Sequence, residues 1–162
     1  MKALFATMLL LAGMTRLAPA AAAQPVAVSP LLGSWSVDVS RLPVPPEARP
    51  KSVVITFRDV GGGNWEAQVD IAGNDGTKRH SEGTAALDGA PVPVRESDEA
   101  DIFALQQPAP NVLVMHLGKG GIPASTRIYT VAADGTAMIE TVAYFDRDGK
   151  PVLRTNHFTR VP

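Results

Sequence analysis

"NWEAQVDIA", residues 64–72, alternates without a break. Trp65, Ala67, Val69 and Ile71 fall on one side, and Asn64, Glu66, Gln68 and Asp70 on the other. A period of two is that of a strand with one buried and one wet face. Upstream, "SVVITF" (52–57) is rich in β-branched residues, and "GSWSVDV" (33–39) sets Trp35, Val37 and Val39 against Ser34, Ser36 and Asp38. Downstream, strand-like runs recur at 78–87, 102–107, 111–117, 125–132, 138–145 and 152–161. A short piece at 92–94 reads as an edge strand, because Pro91 and Pro93 have no amide to donate to a ladder.

The runs are separated by explicit turn chemistry. Asp75-Gly76, Asp88-Gly89, Asp134-Gly135 and Asp148-Gly149 are hairpin pairs, and "PAPN" (108–111) and "GKGG" (118–121) punctuate the rest. Short turns make neighbours in sequence neighbours in space, which predicts a meander. One connection differs. "RLPVPPEARP" (41–50) carries four prolines and reads as a stiff, extended loop. No amphipathic helix of three turns is visible after the first residues. The expectation is an all-β fold: an antiparallel meander closed into a barrel of about eight to ten strands.

The first residues have a different character. Lys2 precedes an apolar run at 3–14, and "APAAAAQ" supplies small residues in an A-x-A pattern. This is the layout of a cleaved signal peptide ending at Ala23, and the run is too short for a membrane span. The expected organisation is therefore a leader, 1–23, and a single domain, 24–162, in the periplasm or secreted. With no cysteine in the chain, disulfides, thiolate metal sites and attachment of a lipid anchor to a processed cysteine are excluded. Removing Lys2 and Arg16 from the 15 basic residues leaves 13 against 16 acidic, a charge of −3. No basic stripe is present to support nucleic-acid binding, and no later run approaches membrane-spanning length.

Gly33-Ser34-Trp35 on the first strand, followed by a long meander, resembles the lipocalin-like (calycin) barrels. The order "GSWSVDVSR", proline-rich loop, "PKSVVITF", Asp-Gly hairpins and a terminal "DGKPV" with "FTRV" resembles a family of small exported bacterial lipocalin-like proteins. The resemblance implies that Trp35 plugs one end of the barrel, that Gly33 permits close backbone approach there, and that a basic residue lies across the indole. Arg160 is the candidate, with Arg154 second. Two departures stand out: the first loop is stiffened by proline, and no C-terminal helix follows the last strand.

Three histidines are present and no two are spaced as a metal pair, so no metal is expected. His80 and His157 read as solvated. His116 shares alternate positions with Val112 and Val114, so it is either a satisfied core or rim histidine or a group orienting a ligand in the barrel mouth. Glu140 shares a face with Met138, Val142 and Tyr144. An inward carboxylate needs a partner, here Arg127 or Arg154. The opposite face, Ile139, Thr141, Ala143 and Phe145, is equally apolar, which favours the wet reading. The acidic run "RESDEAD" (95–101) and the calcium-like "DRDG" (146–149) read as solvated loops, since His157 stands where a calcium loop needs its last glutamate.

No G-x-S-x-G, P-loop, G-x-G-x-x-G or H-E-x-x-H occurs, so no catalytic residue and no cofactor is assigned. The leading expectation is a binding protein for a small apolar ligand, with His116, Glu140 and Tyr144 as ligand-binding candidates. The alternatives are a solid barrel that contacts another envelope protein, and an enzyme of unrecognised type. An interior cavity of about 300 Å³ or more supports the first reading. The enzyme reading requires His116 and Glu140 to converge.

Overall fold

The computed structural model describes residues 28–162, so the expected leader, 1–23, lies outside the described residues. Ten strands follow in order: β1 Gly33–Val37, β2 Ser52–Gly61, β3 Asn64–Ala72, β4 Lys78–Ala86, β5 Val92–Pro93, β6 Ile102–Ala109, β7 Val112–Lys119, β8 Ile122–Val131, β9 Ala137–Phe145 and β10 Pro151–Arg160. All pairings are antiparallel and form one sheet in the order β4-β3-β2-β1-β10-β9-β8-β7-β6-β5. The result is a nearly closed meander barrel, the all-β architecture expected from the alternating runs. Its hairpins are set by aspartate. Asp75, Asp88 and Asp134 each accept the backbone amide two residues on, at 3.0, 2.8 and 3.0 Å, the turn geometry that short acidic side chains favour.

Two local readings needed adjustment. β8 begins at Ile122 rather than 125, because Pro123 pairs with Gly118 beside a break in register after Leu117. A proline near a strand start costs few ladder bonds. The proline-rich loop is not extended throughout. One single 3-10 turn, Val39–Arg41, leads into it, capped by Asp38 on the Ser40 amide at 3.1 Å, and a second, Pro46–Ala48, lies within it.

The barrel closes where β1 meets β10 and leaves one seam, between β4 and β5–β6. Two isolated bridges stitch it, Glu82 to Arg95 and Asp88 to Gln106. Between them the gap is filled by Phe103, packed on Gly83. A β-carbon at Gly83 would stand 2.3 Å from the Phe103 ring, so this position needs glycine for space. Gly83→Ala is expected to cost about 1–3 kcal/mol, as overpacking does. Phe103→Leu in the same chain should return part of that loss in a denaturant titration.

The core fills the end of the barrel where the chain enters. Leu31, Trp35, Phe57, Leu105, Leu113, Val131 and Met138 are fully buried there. Tyr129 continues this core toward the other end, edge-on to Phe57 at 5.3 Å and to Phe158 at 6.3 Å. The Trp35 indole donates to the Leu31 carbonyl at 2.9 Å, and the Arg160 guanidinium lies 4.1 Å above its ring. Gly33, with φ +111°, brings the backbone so close that a β-carbon would meet Arg160 at 2.9 Å.

Candidate functional site

Above this packed end the interior is open. A cavity of about 240 Å³ is bounded on one wall by Val53 and Ile55 of β2 and by Val69 and Ile71 of β3. That falls short of the roughly 300 Å³ at which a cavity supports ligand carriage, but the interior is not packed solid. The inward positions of β2 and β3 are those the alternation assigns to the apolar face. The opposite wall is polar. Strand register places Tyr129, Glu140 and Asn156 in one row across β8, β9 and β10, and Arg127, Val142 and Arg154 in the next.

Glu140 is 2% exposed and is held from both sides. Arg127 donates to one carboxylate oxygen at 3.1 Å and Asn156 to the other at 2.5 Å. Burial alone would loosen the proton on Arg127, but the carboxylates of Glu140 and Glu99 beside it favour the charged form, and its pKa stands above the ordinary arginine value. Burial pushes the Tyr129 phenol well above its ordinary range, and the Glu140 carboxylate adds to that. Both therefore keep their protons at any physiological pH. Glu99, from the 95–101 loop, makes a second ion pair with Arg127.

Arg154 is different. It lines the cavity, and among the described residues no carboxylate lies within ion-pairing distance of it. Its Nε is buried without a partner, as are Nε of Arg127 and Oδ1 of Asn156. Arg154 as a whole is only half-buried. Three polar atoms thus lie unpaired within the wall around the cavity, two donors and one acceptor.

The candidates named from sequence separate. Glu140 lies inside, paired with Arg127; the preference for a wet face is corrected, because the interior of this barrel is itself polar along β8–β10. Tyr144 is half-buried and is not among the residues lining the cavity. His116 is exposed, on the outer side of β7, bonded to Thr126 at 3.0 Å. The inward side of β7 carries Leu113, Met115 and Leu117 instead. His116 and Glu140 do not converge, so that pair supplies no catalytic arrangement. Arg154 faces the cavity rather than Trp35, which Arg160 covers. His80 stands on the outer wall against Asp70 at 2.7 Å. Sequence reading missed Asn156, Tyr129 and Glu99. For Asn156 one signal existed: it alternates with Phe158, the inward residue of β10. Among the described residues, no group of three His, Asp or Glu is arranged to hold a metal ion.

No protein-family model matches the chain, and no curated protein matches it. Solved structures do. The wild-type fluorescent protein UnaG aligns at 11% identity with a TM-score of 0.57, covering 83% of this chain and 100% of that one. Two point variants of UnaG align equally, with TM-scores of 0.57 and 0.56 at 11% identity. They cover 84% and 83% of this chain and 99% of their own. At that identity the likeness is one of fold alone, an antiparallel β-barrel.

Proposed function

We propose that this protein is an exported carrier, periplasmic or secreted, that holds one small ligand with an apolar body and an acidic head. It belongs, in this reading, among the small exported bacterial barrels it resembles in sequence order. The leader-like segment 1–23 supports export. The observation that carries the ligand class is Arg154: a guanidinium facing an apolar cavity with its Nε buried and no carboxylate to answer it. The ligand body lies along Val53, Ile55, Val69 and Ile71, and the head meets Arg154. A purely apolar ligand would leave that guanidinium without an anion.

Native mass spectrometry of protein released from the periplasm should reveal a co-purified acidic amphiphile. Octanoate serves as a probe in calorimetry. Arg154→Met is expected to weaken octanoate at least about tenfold, since a hydrogen bond to a charged group contributes about 1.5–3 kcal/mol. The same substitution should change stability little, because Arg154 is half-buried and makes no ion pair that would be lost. Octanoate that does not bind, or binds Arg154→Met equally, defeats this ligand class. A second reading, an accessory module contacting another envelope protein, draws on exposed Ile122, Phe145 and Leu153 on the outer wall of β8–β10. Protein that purifies with no small mass but with a stoichiometric protein partner would favour it.

A further inference from the structure

The barrel wall and the loop over it carry opposite charge. Facing the cavity, the strands contribute Arg79, Arg127 and Arg154 against Glu140 alone, whereas the loop contributes Glu96, Asp98 and Glu99. The loop is a compact flap. Its ends are joined by the Val94 amide on the Asp101 carbonyl at 3.0 Å, and buried Ala100 anchors its base. Its tip is fastened by one close ion pair, Glu99 to Arg127; Asp98 stands 3.8 Å from Arg79 with both side chains exposed, a surface pair that contributes little. The Glu99 side chain is two-thirds exposed, while Arg127 is largely buried. So the carboxylate reaches inward from solvent to a fixed cation.

Arg127 and Arg154 flank Val142 from either side in one register row, with Cα atoms about 10 Å apart across two strand spacings. Both side chains face the cavity, and an acidic head between them would meet both. One of the two is already answered by Glu99.

The geometry points to Glu99 as a tethered competitor for the ligand's acidic head. This inference rests on the ligand class proposed above. In the closed state the Glu99 carboxylate occupies Arg127 and the flap covers the cavity. An entering carboxylate takes Arg127 together with Arg154, Glu99 is released, and residues 96–99 lift. Ligand charge, rather than apolar body, then opens the flap, and Glu99 sets the threshold for acidic over neutral ligands. No covalent step is involved. The exchange is one carboxylate for another on the same guanidinium.

The test compares octanoate with octanol on the wild-type protein and on Glu99→Gln, with Asp98→Asn as a control for overall loop charge. A latch closed about four-fifths of the time lowers apparent affinity about fivefold. Glu99→Gln is therefore expected to tighten octanoate about fivefold and leave octanol unchanged, with Asp98→Asn changing octanoate less than twofold. In hydrogen exchange, the Glu99 and Ala100 amides, held by the Ser97 hydroxyl at 3.2 Å each, should exchange faster when octanoate binds the wild type. Octanoate that binds wild type and Glu99→Gln equally, or binding that slows those amides, overturns the latch while leaving the ligand class standing. An equal gain in Asp98→Asn also overturns it, in favour of diffuse charge. If octanoate binds neither protein, the latch and the ligand class fall together.

Discussion

Replacing Trp35 by alanine is expected to lower the unfolding free energy by about 3–5 kcal/mol, the range for deleting a large aromatic side chain from a core. The indole is completely buried, and it organises the end of the barrel where the chain enters. Its Nε1–H satisfies the Leu31 carbonyl. Its face supports Arg160, whose guanidinium donates to Leu32 and Gly135 carbonyls at 2.8 Å each and to that of Pro30. Those contacts tie the entering chain to the β8–β9 turn, so losing the ring loosens segments far apart in sequence. Trp35→Phe keeps an aromatic platform but orphans the Leu31 carbonyl, and should cost about 1–3 kcal/mol. Guanidinium titrations at equal m-value check both. A loss below about 1 kcal/mol for Trp35→Ala would mean that this end repacks around the gap, and the indole is no plug.

The architecture was legible where polarity and geometry agree. β3 alternates cleanly because its outer face meets solvent and its inner face meets an apolar wall. The Asp-Gly turns were legible because the aspartate acts on its own backbone, a purely local event. β7 and β9 were ambiguous for one shared reason: both faces of each strand are apolar enough to be inside. Val112 and Val114 drew His116 inward on paper, while Leu113 and Met115 take that place in the barrel. On β9 the usual rule inverts. The carboxylate of Glu140 is inside and Ile139 is outside, because Arg127 and Asn156 on neighbouring strands satisfy the buried charge. Such compensation is a property of three strands together, and no single strand announces it. Glu99 lies 28 residues from Arg127 in a run that reads as solvated. Its inward reach depends on a flap whose ends are joined by backbone bonds, which composition does not encode.

The interior polar row also carries the second large effect. Arg127→Met should destabilise the protein by about 3–5 kcal/mol, the cost of leaving a buried charge without its partner. Methionine fills a similar unbranched volume, so little of the loss is packing. Glu140 then keeps only the Asn156 amide, at 2.5 Å, and remains 2% exposed. Glu140→Gln alone leaves Arg127 its contact with Glu99 and an exposed edge, and should cost less than Arg127→Met. The double variant decides between a charge penalty and a packing defect. If the uncompensated carboxylate causes the loss, adding Glu140→Gln to Arg127→Met restores at least half of it, a coupling of the size contacting charged pairs show. If the two losses simply add, Arg127 stabilises the barrel through its stem alone and the ion pair contributes nothing. The same cycle bears on the cavity. A restored double variant lacks Arg127 yet keeps Arg154 facing the apolar wall. It should still take octanoate, though more weakly than wild type, because one of the two cations that receive the head is gone.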